Sequence, residues 1–455
     1  MSADRYVLEI PYVEPLRAFQ PFAADPVSAL LDSADPAQGR GRYAYVVADP
    51  FDVVGVDKTD PFAALERALG CIVAGPSISG LPPFQGGAVG FIGYEAAGRL
   101  ERLPSPKTNG LDFPEALFGI YDTVAAFDIR ERKTWIVAIE SVSGRGSPES
   151  RARRMAACVS GAPFLPPLDW SARGDWRAET TRPAFEAMIA RVVEYIRAGD
   201  IFQANMSQRF MAAMPPDLAP YMLYRRLRHL SPAPFAAYLN CGSAGAILSA
   251  SPELFLDLDA DGRIETRPIK GTRRRGGTPA EDETLARELL ASEKDRAENL
   301  MIVDLLRNDL SRVSRIGSVR TPALFALETY ANVHHLVSVV EGRLLPGLGP
   351  VDLLRATFPG GSITGAPKIR AMEIIAELEP SRRGPYCGTI AAIGFDGRMT
   401  SNIVIRTLVL GSGTVVAQAG GGIVADSDPA AEYDETIVKA GAMLRSLDAK
   451  GLTVP

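Results

Sequence analysis

Four acidic residues occur as two pairs, each with the spacing of one helical face. Asp295 and Glu298 lie three residues apart, and Glu432 and Glu435 repeat that spacing in a second predicted helix. Residues three positions apart project from the same side of a helix, so each helix would present two carboxylates in one direction. Mg²⁺ prefers carboxylate oxygens together with water and substrate oxygens, which two facing helices could supply. A solvated helix surface is the alternative, and the spacing alone does not exclude it.

An anion site is a second possibility. Gly420, Gly421 and Gly422 stand between an apolar segment and a predicted helix start, and glycines let backbone N–H groups approach an anion without interference from Cβ atoms. Arg406 lies within the apolar segment NIVIRTLVL, where an arginine is costly unless it has an anionic partner. The glycines could equally form a plain loop. The partner of Arg406 could equally be a carboxylate of the chain itself.

A lysine and two histidines complete the candidates. Lys270 lies in RPIKGTR, at the end of a predicted strand. If it is buried near other cations, its amine would be partly neutral and nucleophilic; a surface lysine is the alternative. His334 and His335 lie in an apolar predicted strand, where one of two adjacent residues must face inward. That residue is either a core histidine held by a hydrogen bond or part of a site.

The composition is that of an ordinary globular protein. The 455 residues are 46% hydrophobic and 23% charged with a net charge of −5, and this length predicts two or three domains. The basic residues form no nucleic-acid footprint, and the four scattered cysteines lack zinc or iron–sulfur spacing. No apolar run reaches the ~20 residues of a membrane span, and the first residues have no signal pattern. We therefore expect a cytoplasmic protein with reduced thiols and neither nucleic-acid nor membrane partners.

Hydrophobic periodicity predicts the elements that position these residues. Short apolar segments between turns predict strands in residues 1–140, and the Gly-, Ser-, Pro- and Arg-rich stretch 141–181 predicts a connection with room for one short helix. The later elements are predicted as a helix at 183–199, a hairpin at 244–269, helices over 281–310 with a restart at Ser292, a strand meander at 388–424 and a helix at 429–447. Strands joined by hairpins and alternating with helices predict an α+β fold.

Eight segments in a fixed order resemble the chorismate-utilising enzymes, a family that includes anthranilate, isochorismate, salicylate and aminodeoxychorismate synthases. The segments are AGDIFQANMSQRF (198–210), LSASPELF (248–255), RPIKGTRRRG (267–276), DRAENLMIVDLLRNDL (295–310), VHHLVSVVEG (333–342), FPGGSITGAPKIRAMEII (358–375), PYCGTI (385–390) and AGGGIVADSDPAAEYDET (419–436). LLDSAD (30–35), RYAYVVADP (42–50) and GGAVGFIGYE extend the resemblance more weakly. It implies two large, mainly antiparallel β-sheets packed face to face and covered by helices. It also implies a sheet-rich region at 1–165 and a chorismate-binding catalytic domain at 180–450.

The resemblance implies a role for each candidate. Glu298 and Glu435 would bind Mg²⁺ directly, with Asp295 and Glu432 acting directly or through water, and the ion would hold the ring carboxylate of chorismate. Glu253, in SPELF, would be the general acid that protonates the departing C4 hydroxyl. The enolpyruvyl carboxylate would be bound by Arg406, Tyr386 and the backbone of Gly420, Gly421 and Gly422. His335 and Thr364 would border the ring.

Two positions distinguish members of the family. Members that add water to chorismate carry a lysine base where this chain has Gln203, and a glutamine beside the substrate is not a base. At the second position, anthranilate synthases typically have the sequence PIAGT. This chain has PIKGT, and in this it resembles the aminodeoxychorismate synthases. We therefore predict that Lys270 bonds to C2 of chorismate and that ammonia then enters at C4. The product would be 4-amino-4-deoxychorismate, for 4-aminobenzoate and folate synthesis; anthranilate synthesis, with ammonia at C2, is the alternative.

The ammonia needs a source. Nothing in the sequence resembles the Cys motif of a glutamine amidotransferase, and no domain-sized segment is spare for one. The resemblance therefore implies a separate glutaminase subunit, with free ammonium used when the chain acts alone. A non-catalytic chorismate- or tryptophan-binding protein is disfavoured because every catalytic carboxylate is present. LLDSAD resembles the region where relatives hold tryptophan, and tryptophan binding by this chain is left open.

Overall fold

The protein is described here by a computed structural model that covers residues 5–34, 41–56, 59–72, 75, 77–108, 110–141, 144–168, 175–330 and 333–447. Two antiparallel β-sheets pack against each other, and helices cover their outer sides. With helices numbered in chain order, the structure contains α1 (Pro15–Phe19), α2 (Pro61–Leu69), α3 (Pro148–Ser160), α4 (Arg182–Arg197), α5 (Pro220–Leu230), α6 (Pro279–Ala291), α7 (Glu293–Ser311), α8 (Pro350–Thr357), α9 (Lys368–Leu378) and α10 (Pro429–Leu447). In the described ranges, no helix is both long and apolar enough to cross a membrane.

Counted over the described residues, the first sheet has twelve strands. With strands numbered in chain order, they are β1 (Arg5–Ile10), β2 (Ser28–Asp32), β3 (Tyr43–Val47), β7 (Thr123–Asp128), β8 (Lys133–Ile139), β9 (Arg177–Ala178), β10 (Gln203–Ala213), β11 (Phe235–Asn240), β12 (Ala246–Ser251), β18 (Gly365–Ala366), β21 (Thr407–Gly411) and β22 (Thr414–Ile423). Their spatial order is β1-β8-β7-β3-β2-β11-β12-β21-β22-β10-β18, and β9 pairs with β10.

The second sheet has ten strands in the part of the chain that the structure describes. They are β4 (Asp52–Val56), β5 (Gly87–Ile92), β6 (Ala116–Tyr121), β13 (Leu254–Leu258), β14 (Arg263–Thr266), β15 (Ile269–Arg274), β16 (Arg320–Thr329), β17 (Val333–Arg343), β19 (Thr389–Gly394) and β20 (Met399–Ile403). Their spatial order is β15-β17-β14-β13-β20-β19-β5-β6-β4, and β16 pairs with β17.

A shared apolar core joins the inner faces of the two sheets. Phe91 of β5 and Ile390 of β19 pack there with Leu239 of β11 and Ile247 of β12. Each fully buried side chain of this size stabilises the fold by about 1.5–3 kcal/mol. The outer faces bury further clusters under helices: the first sheet under α1, α3, α5 and α10, and the second under α2, α7, α8 and α9. The predicted α+β arrangement of two covered, face-to-face antiparallel sheets is confirmed.

Both predicted sequence regions contribute strands to both sheets. The region 1–165 supplies β1–β3, β7 and β8 to the first sheet and β4–β6 to the second, and 180–450 supplies the other strands except β9, which lies between the two regions. The two regions therefore share their cores, while the boundary between them stays a prediction. The connection predicted at 141–181 contains the thirteen-residue helix α3, which buries Met155 and Val159 against β1 and β8.

Two predicted strand pairings are wrong in part. The hairpin predicted at 244–269 is limited to β13 and β14, with its turn at Asp261-Gly262, because Ala246–Ser251 pairs with β11 and β21 in the other sheet. The meander predicted at 388–424 is also divided, since β19 and β20 belong to the second sheet and β21 and β22 to the first. These strands are buried on both faces, so alternation could not indicate which sheet they join.

The helices predicted between residues 180 and 450 are confirmed. Ser292 caps α7 by accepting a hydrogen bond from the backbone N–H of Asp295 at 3.3 Å, as the capping pattern predicted. Helix α10 begins at Pro429 and ends at Leu447. These two helices carry the paired carboxylates, and their positions therefore decide whether the carboxylates meet.

Candidate active site

A cavity of about 720 Å³ lies where α7 and α10 meet the two sheets. Strands β10 and β22 of the first sheet and β15 and β17 of the second contribute to its walls. Most of the predicted site residues line it, namely Glu253, Lys270, Asp295, Glu298, His335, Tyr386, Arg406, Gly420, Gly422, Glu432 and Glu435. Residues from seven separate segments of the sequence thus converge on one cavity, which the sequence alone could not establish.

Three predicted substrate-binding residues do not line the cavity. Gln203 and Thr364 are completely buried behind its wall, and the hydroxyl of Thr364 donates to the carbonyl oxygen of Gly360 at 3.0 Å. A Cβ added to Gly422 would lie 2.3 Å from Gln203 Nε2, so this amide sits directly behind the glycine. Gly421 faces α10 instead, because a Cβ there would lie 3.1 Å from Glu432 Oε2.

Lys270 is half-buried in the cavity, and it lies near the start of β15 and not, as predicted, at the end of a strand. A Cβ on Gly422 would lie 3.2 Å from Lys270 Nζ, so glycine at 422 leaves the space that the amine uses. Burial lowers the pKa of Lys270, and Lys439 lowers this pKa further, against the opposing effect of Glu298. The amine is therefore closer to its neutral, nucleophilic form than a surface lysine would be.

Glu253 lies in the cavity wall between β12 and β13 and is 6% exposed. Its backbone is fixed in the second sheet, since its carbonyl oxygen accepts from Ile403 N–H at 3.1 Å. Burial raises the pKa of Glu253 to about 7, against the opposing effects of a hydrogen bond from Ser362 and the charge of Lys270. A carboxyl group with a pKa near neutrality can donate a proton at physiological pH.

The adjacent histidines have different environments. His334 Nε2 lies 2.9 Å from Asp282 Oδ1 on α6, so this histidine belongs to the packing of α6 on β17. His335 lines the cavity, and its Nδ1 lies 2.9 Å from Thr272 Oγ1. Burial, and then the charge of Arg406, lowers the pKa of His335 to about 4. The His335 ring is therefore neutral at physiological pH and can border a substrate without adding charge.

Arg406 does not lie inside a strand, contrary to the prediction. It occupies the crossing from β20 in one sheet to β21 in the other and has a left-handed backbone with φ of 53°. Such a conformation costs a non-glycine residue of order 1 kcal/mol. Among the described residues, the guanidinium makes no hydrogen bond or ion pair. Burial lowers the pKa of Arg406, against the opposing effects of Tyr386 and Glu435. An internal ion pair therefore does not account for this arginine, and it is available to an anion.

The three glycines do not form a loop, contrary to one interpretation of the sequence. They lie within β22, where Gly420 is paired with Ser207 and Gly422 with Asn205 of β10. Within the described chain, β21 pairs with β22 only as far as Ala417, so beyond that residue one edge of β22 has no neighbouring strand. Backbone groups at such an edge are not used by the sheet and can bind a ligand.

The paired carboxylates of α7 and α10 line the same cavity. Burial raises the pKa of Glu298, and the charges of Asp295 and Glu435 raise it further, against the effects of Lys270 and Lys294. Burial likewise raises the pKa of Glu432, again with a contribution from Glu435. Carboxylates that disfavour one another's ionisation fit a site for a divalent cation, which would remove the repulsion.

The carboxylates are not gathered into a closed ligand set. Lys439 Nζ lies 2.6 Å from Glu435 Oε1, and Arg273 Nη2 lies 3.0 Å from Asp295 Oδ2, so basic side chains hold one acid on each helix. In the ranges that the structure describes, no three His, Cys, Asp or Glu side chains are close enough together to hold a metal ion. The donor chemistry fits Mg²⁺, and its binding would require Glu435 to exchange its lysine partner for the ion.

The structure adds residues that sequence reasoning missed. Lys439 also donates to the carbonyl oxygen of Gly420 at 2.9 Å, and Ser362, Asn205 and Gln418 line the cavity. Lys439 follows Glu435 by four residues, so helical spacing could have indicated it. No local pattern marks the other three, because a long-range fold brings them to the cavity.

A second cavity, of about 400 Å³, lies between the sheets beside the LLDSAD segment. Asp32 and Ser33 line it, whereas Asp35 is outside the described residues. The carboxylate of Asp32 accepts a hydrogen bond from Tyr224 at 3.0 Å and pairs with Arg228. The carboxylate of Asp32 is thus already engaged by two side chains.

Fold and site together define a class of protein. The cavity combines a buried acid, a half-buried lysine, an arginine without a partner among the described residues, and carboxylates from two helices, a set that suits chemistry on a small carboxylate-bearing molecule. The family model described as chorismate binding enzyme matches residues 28–445. The chain belongs to this chorismate-binding enzyme family.

Similar proteins carry two different activities in their names. Aminodeoxychorismate synthase component 1 of Klebsiella aerogenes is 40% identical over 446 residues, which cover 95% of this chain and 96% of that protein. Anthranilate synthase component 1 of Streptomyces coelicolor is 43% identical over 452 residues, covering 96% and 86%. Overall identity therefore identifies a chorismate-utilising synthase and does not separate the two activities.

Solved structures agree with the fold. Anthranilate synthase component I from Streptococcus pneumoniae superposes with a TM-score of 0.78 at 33% identity, covering 89% of this chain and 92% of that one. MenF, the menaquinone-specific isochorismate synthase from Escherichia coli, has a TM-score of 0.74 at 17% identity, covering 98% and 95%. The second likeness concerns the fold alone.

Proposed function

We propose that the chain is the chorismate-aminating component of an aminodeoxychorismate synthase, which forms 4-amino-4-deoxychorismate for 4-aminobenzoate and folate synthesis. The observation that carries the proposal is the position of Lys270. Its amine lies in the cavity beside the space left by Gly422, its pKa is lowered mainly by burial, and it acts electrostatically on the buried acid Glu253. A nucleophile and a proton donor are thus available in one cavity.

The two groups support a two-step substitution. The neutral amine of Lys270 attacks C2, the two ring double bonds shift, and the C4 hydroxyl leaves as water after taking the proton of Glu253. The lysine nitrogen, now bonded to C2, loses one proton, and this proton restores Glu253. Ammonia then attacks C4, the double bonds shift back, and the C2–nitrogen bond to Lys270 breaks. The lysine nitrogen regains a proton as the new amine loses one. The sum is chorismate plus ammonia to 4-amino-4-deoxychorismate plus water.

The substrate would be held by its two carboxylates. Arg406, Tyr386 and the open edge of β22 at Gly420 and Gly422 would bind the enolpyruvyl carboxylate. Mg²⁺ held by Glu298 and Glu435, with Asp295 and Glu432 directly or through water, would neutralise the ring carboxylate when bound. The neutral ring of His335 would border the substrate ring.

A glutaminase subunit is the proposed source of ammonia. The curated relatives are named as component 1 of their synthases, which supports a second component. With such a subunit, glutamine would supply the nitrogen; without it, ammonium would be used directly.

The direct test is product identification. Purified chain is incubated with chorismate, Mg²⁺ and ammonium, and the product is identified by mass and by conversion to 4-aminobenzoate with an added lyase. We expect 4-amino-4-deoxychorismate. Fluorescent anthranilate as the main product would instead establish the alternative, an anthranilate synthase component, to which relatives of similar identity also belong.

The pH dependence tests the role of Glu253. With neutral ammonia held at constant concentration, kcat/KM for chorismate should fall above a pH of about 7, because Glu253 must be protonated to donate and its pKa is raised to about 7. In Ser362→Ala this alkaline limb should move to higher pH, since the Ser362 hydrogen bond lowers that pKa. An alkaline limb that is absent, or that moves to lower pH in the variant, would count against Glu253 as the acid.

A further inference from the structure

Strand β15 is irregular at the residue that carries the proposed nucleophile. Between Ile269 and Thr272, the pairing of β15 with β17 shifts its register by one residue. Lys270 and Gly271 together therefore oppose a single residue of β17. This is a β-bulge, with one extra residue in β15. Bulges bend a strand and change the direction of its side chains, and this bulge lies in the wall of the active cavity.

Gly271 allows the bulge to form and to pack against the helices. Its φ of 86° lies in the left-handed region that favours glycine. A Cβ at this position would lie 2.9 Å from Leu289 Cδ1 on α6 and 3.0 Å from Asp295 Cβ on α7. The backbone of Gly271 thus lies directly against both helices, and these contacts hold one side of the bulge.

A histidine of the neighbouring strand holds the bulge as well. His335 Nδ1 lies 2.9 Å from Thr272 Oγ1, and the two residues are directly paired in the ladder between β15 and β17. Burial and then the charge of Arg406 lower the pKa of His335, whereas a hydrogen bond to the backbone of Gly271 acts in the opposite direction. The same ring thus contacts both residues that follow Lys270. Strand β17 has neighbouring strands on both sides, so this ring is attached to a firmly held part of the sheet.

The position of the Lys270 amine depends on this bulge. Within the described residues, no hydrogen bond or ion pair holds the amine itself; only the longer-range charges of residues such as Glu298 act on it. Its place beside Gly422 is therefore set by the backbone of β15. A one-residue change of register moves side chains to the other face of a sheet, and a misplacement of about 1 Å in an active site can cost about a hundredfold in rate.

We propose that Thr272 is a positioning residue for the nucleophile: its hydroxyl, through the contact with His335, fixes the bulge that directs Lys270 at C2 of chorismate. The inference rests on the proposed amination through a Lys270 adduct. When the amine is misplaced, ammonia attacks C2 directly, water leaves from C4, and loss of pyruvate gives anthranilate. Thr272 therefore controls the ratio of the two products without taking part in the chemistry.

The test separates the hydroxyl of Thr272 from its shape. Thr272→Val removes the hydroxyl at nearly constant shape, and Thr272→Ser keeps the hydroxyl as the matched control. Thr272 is exposed to the cavity, so both variants should fold; Thr272→Ala replaces the valine variant if that one does not. Adduct formation is followed by intact-protein mass with chorismate and Mg²⁺ but without ammonia. With ammonium added, kcat, KM for chorismate and the ratio of anthranilate to 4-amino-4-deoxychorismate are measured.

Thr272→Val should form the adduct about tenfold or more slowly, because the amine is no longer held in line with C2. Its kcat should fall while KM for chorismate stays the same, and the share of anthranilate should rise. Thr272→Ser should behave as the unmodified chain does. An unchanged product ratio in the valine variant, whatever its rate, or an equal loss in the serine variant would overturn the proposal. Absence of 4-amino-4-deoxychorismate from the unmodified chain would instead refute the proposed function.

Discussion

Lys270→Ala should abolish amination at C4, lowering the rate by roughly a thousandfold or more, because the attacking nitrogen itself is removed. Such a loss corresponds to about 4 kcal/mol of transition-state stabilisation. The substitution recreates the PIAGT sequence, so we expect any residual product to be anthranilate, with ammonia taking the place at C2 that the lysine leaves. Product mass and anthranilate fluorescence give the measurement.

Lys270→Arg is the matched control for charge. It keeps a cation at this position but has no neutral amine at physiological pH, so it should be as inactive at C4 as the alanine variant. Restored C4 amination by arginine would show that position 270 supplies only charge. A second readout is intact-protein mass after incubation with chorismate and without ammonia. An adduct equal to chorismate less one water is expected on the unmodified chain and not on either variant.

Sequence spacing correctly predicted those features of the site that are formed within a single helix. The Ser292 cap and the i, i+3 carboxylates are properties of single helices, and both are present where the periodicity indicated. The order of the motifs predicted that the segments belong to one site. It could not establish that α7 and α10 line the same cavity, because that depends on pairings between distant strands.

The errors arose where the chain changes sheets. Arg406 lies in an apolar segment that continues from β20 in one sheet to β21 in the other. The hydrophobic pattern is not interrupted there, so it does not indicate that the strand ends at Ile403. The positive φ of Arg406 turns the chain and leaves its guanidinium facing the cavity. At Gly420, a run of glycines suggested a loop, but here glycine is needed within a strand, since a Cβ would lie 2.2 Å from the carbonyl oxygen of Met206. Close packing of strands, and not turn chemistry, explains these glycines.

The ion pair between Glu435 and Lys439 affects how the proposed metal ion could bind. A divalent ion bound as proposed would have to displace the Lys439 ammonium group, 2.6 Å from the Glu435 carboxylate, and draw carboxylates from both helices together. Burial raises the pKa of Glu435, but the Lys439 charge and hydrogen bond outweigh burial and lower it, so this carboxylate is ionised and ready to bind. The pKa of Glu298 is raised, mainly by burial. Because a carboxyl group binds a metal ion only after it loses its proton, the ion would have to favour the ionised form of Glu298.

Glu298→Gln should accordingly raise the Mg²⁺ concentration for half-maximal activity by roughly a hundredfold or more, at least the effect typical of residues that only orient a ligand. Glu293→Gln removes the same charge from an exposed position of α7 outside the cavity and should leave the Mg²⁺ dependence unchanged. Thermal unfolding with and without Mg²⁺ provides a readout that is independent of turnover, because an ion that binds only the folded chain raises its midpoint. Equal Mg²⁺ dependence in the two variants would mean that the α7 carboxylates are structural.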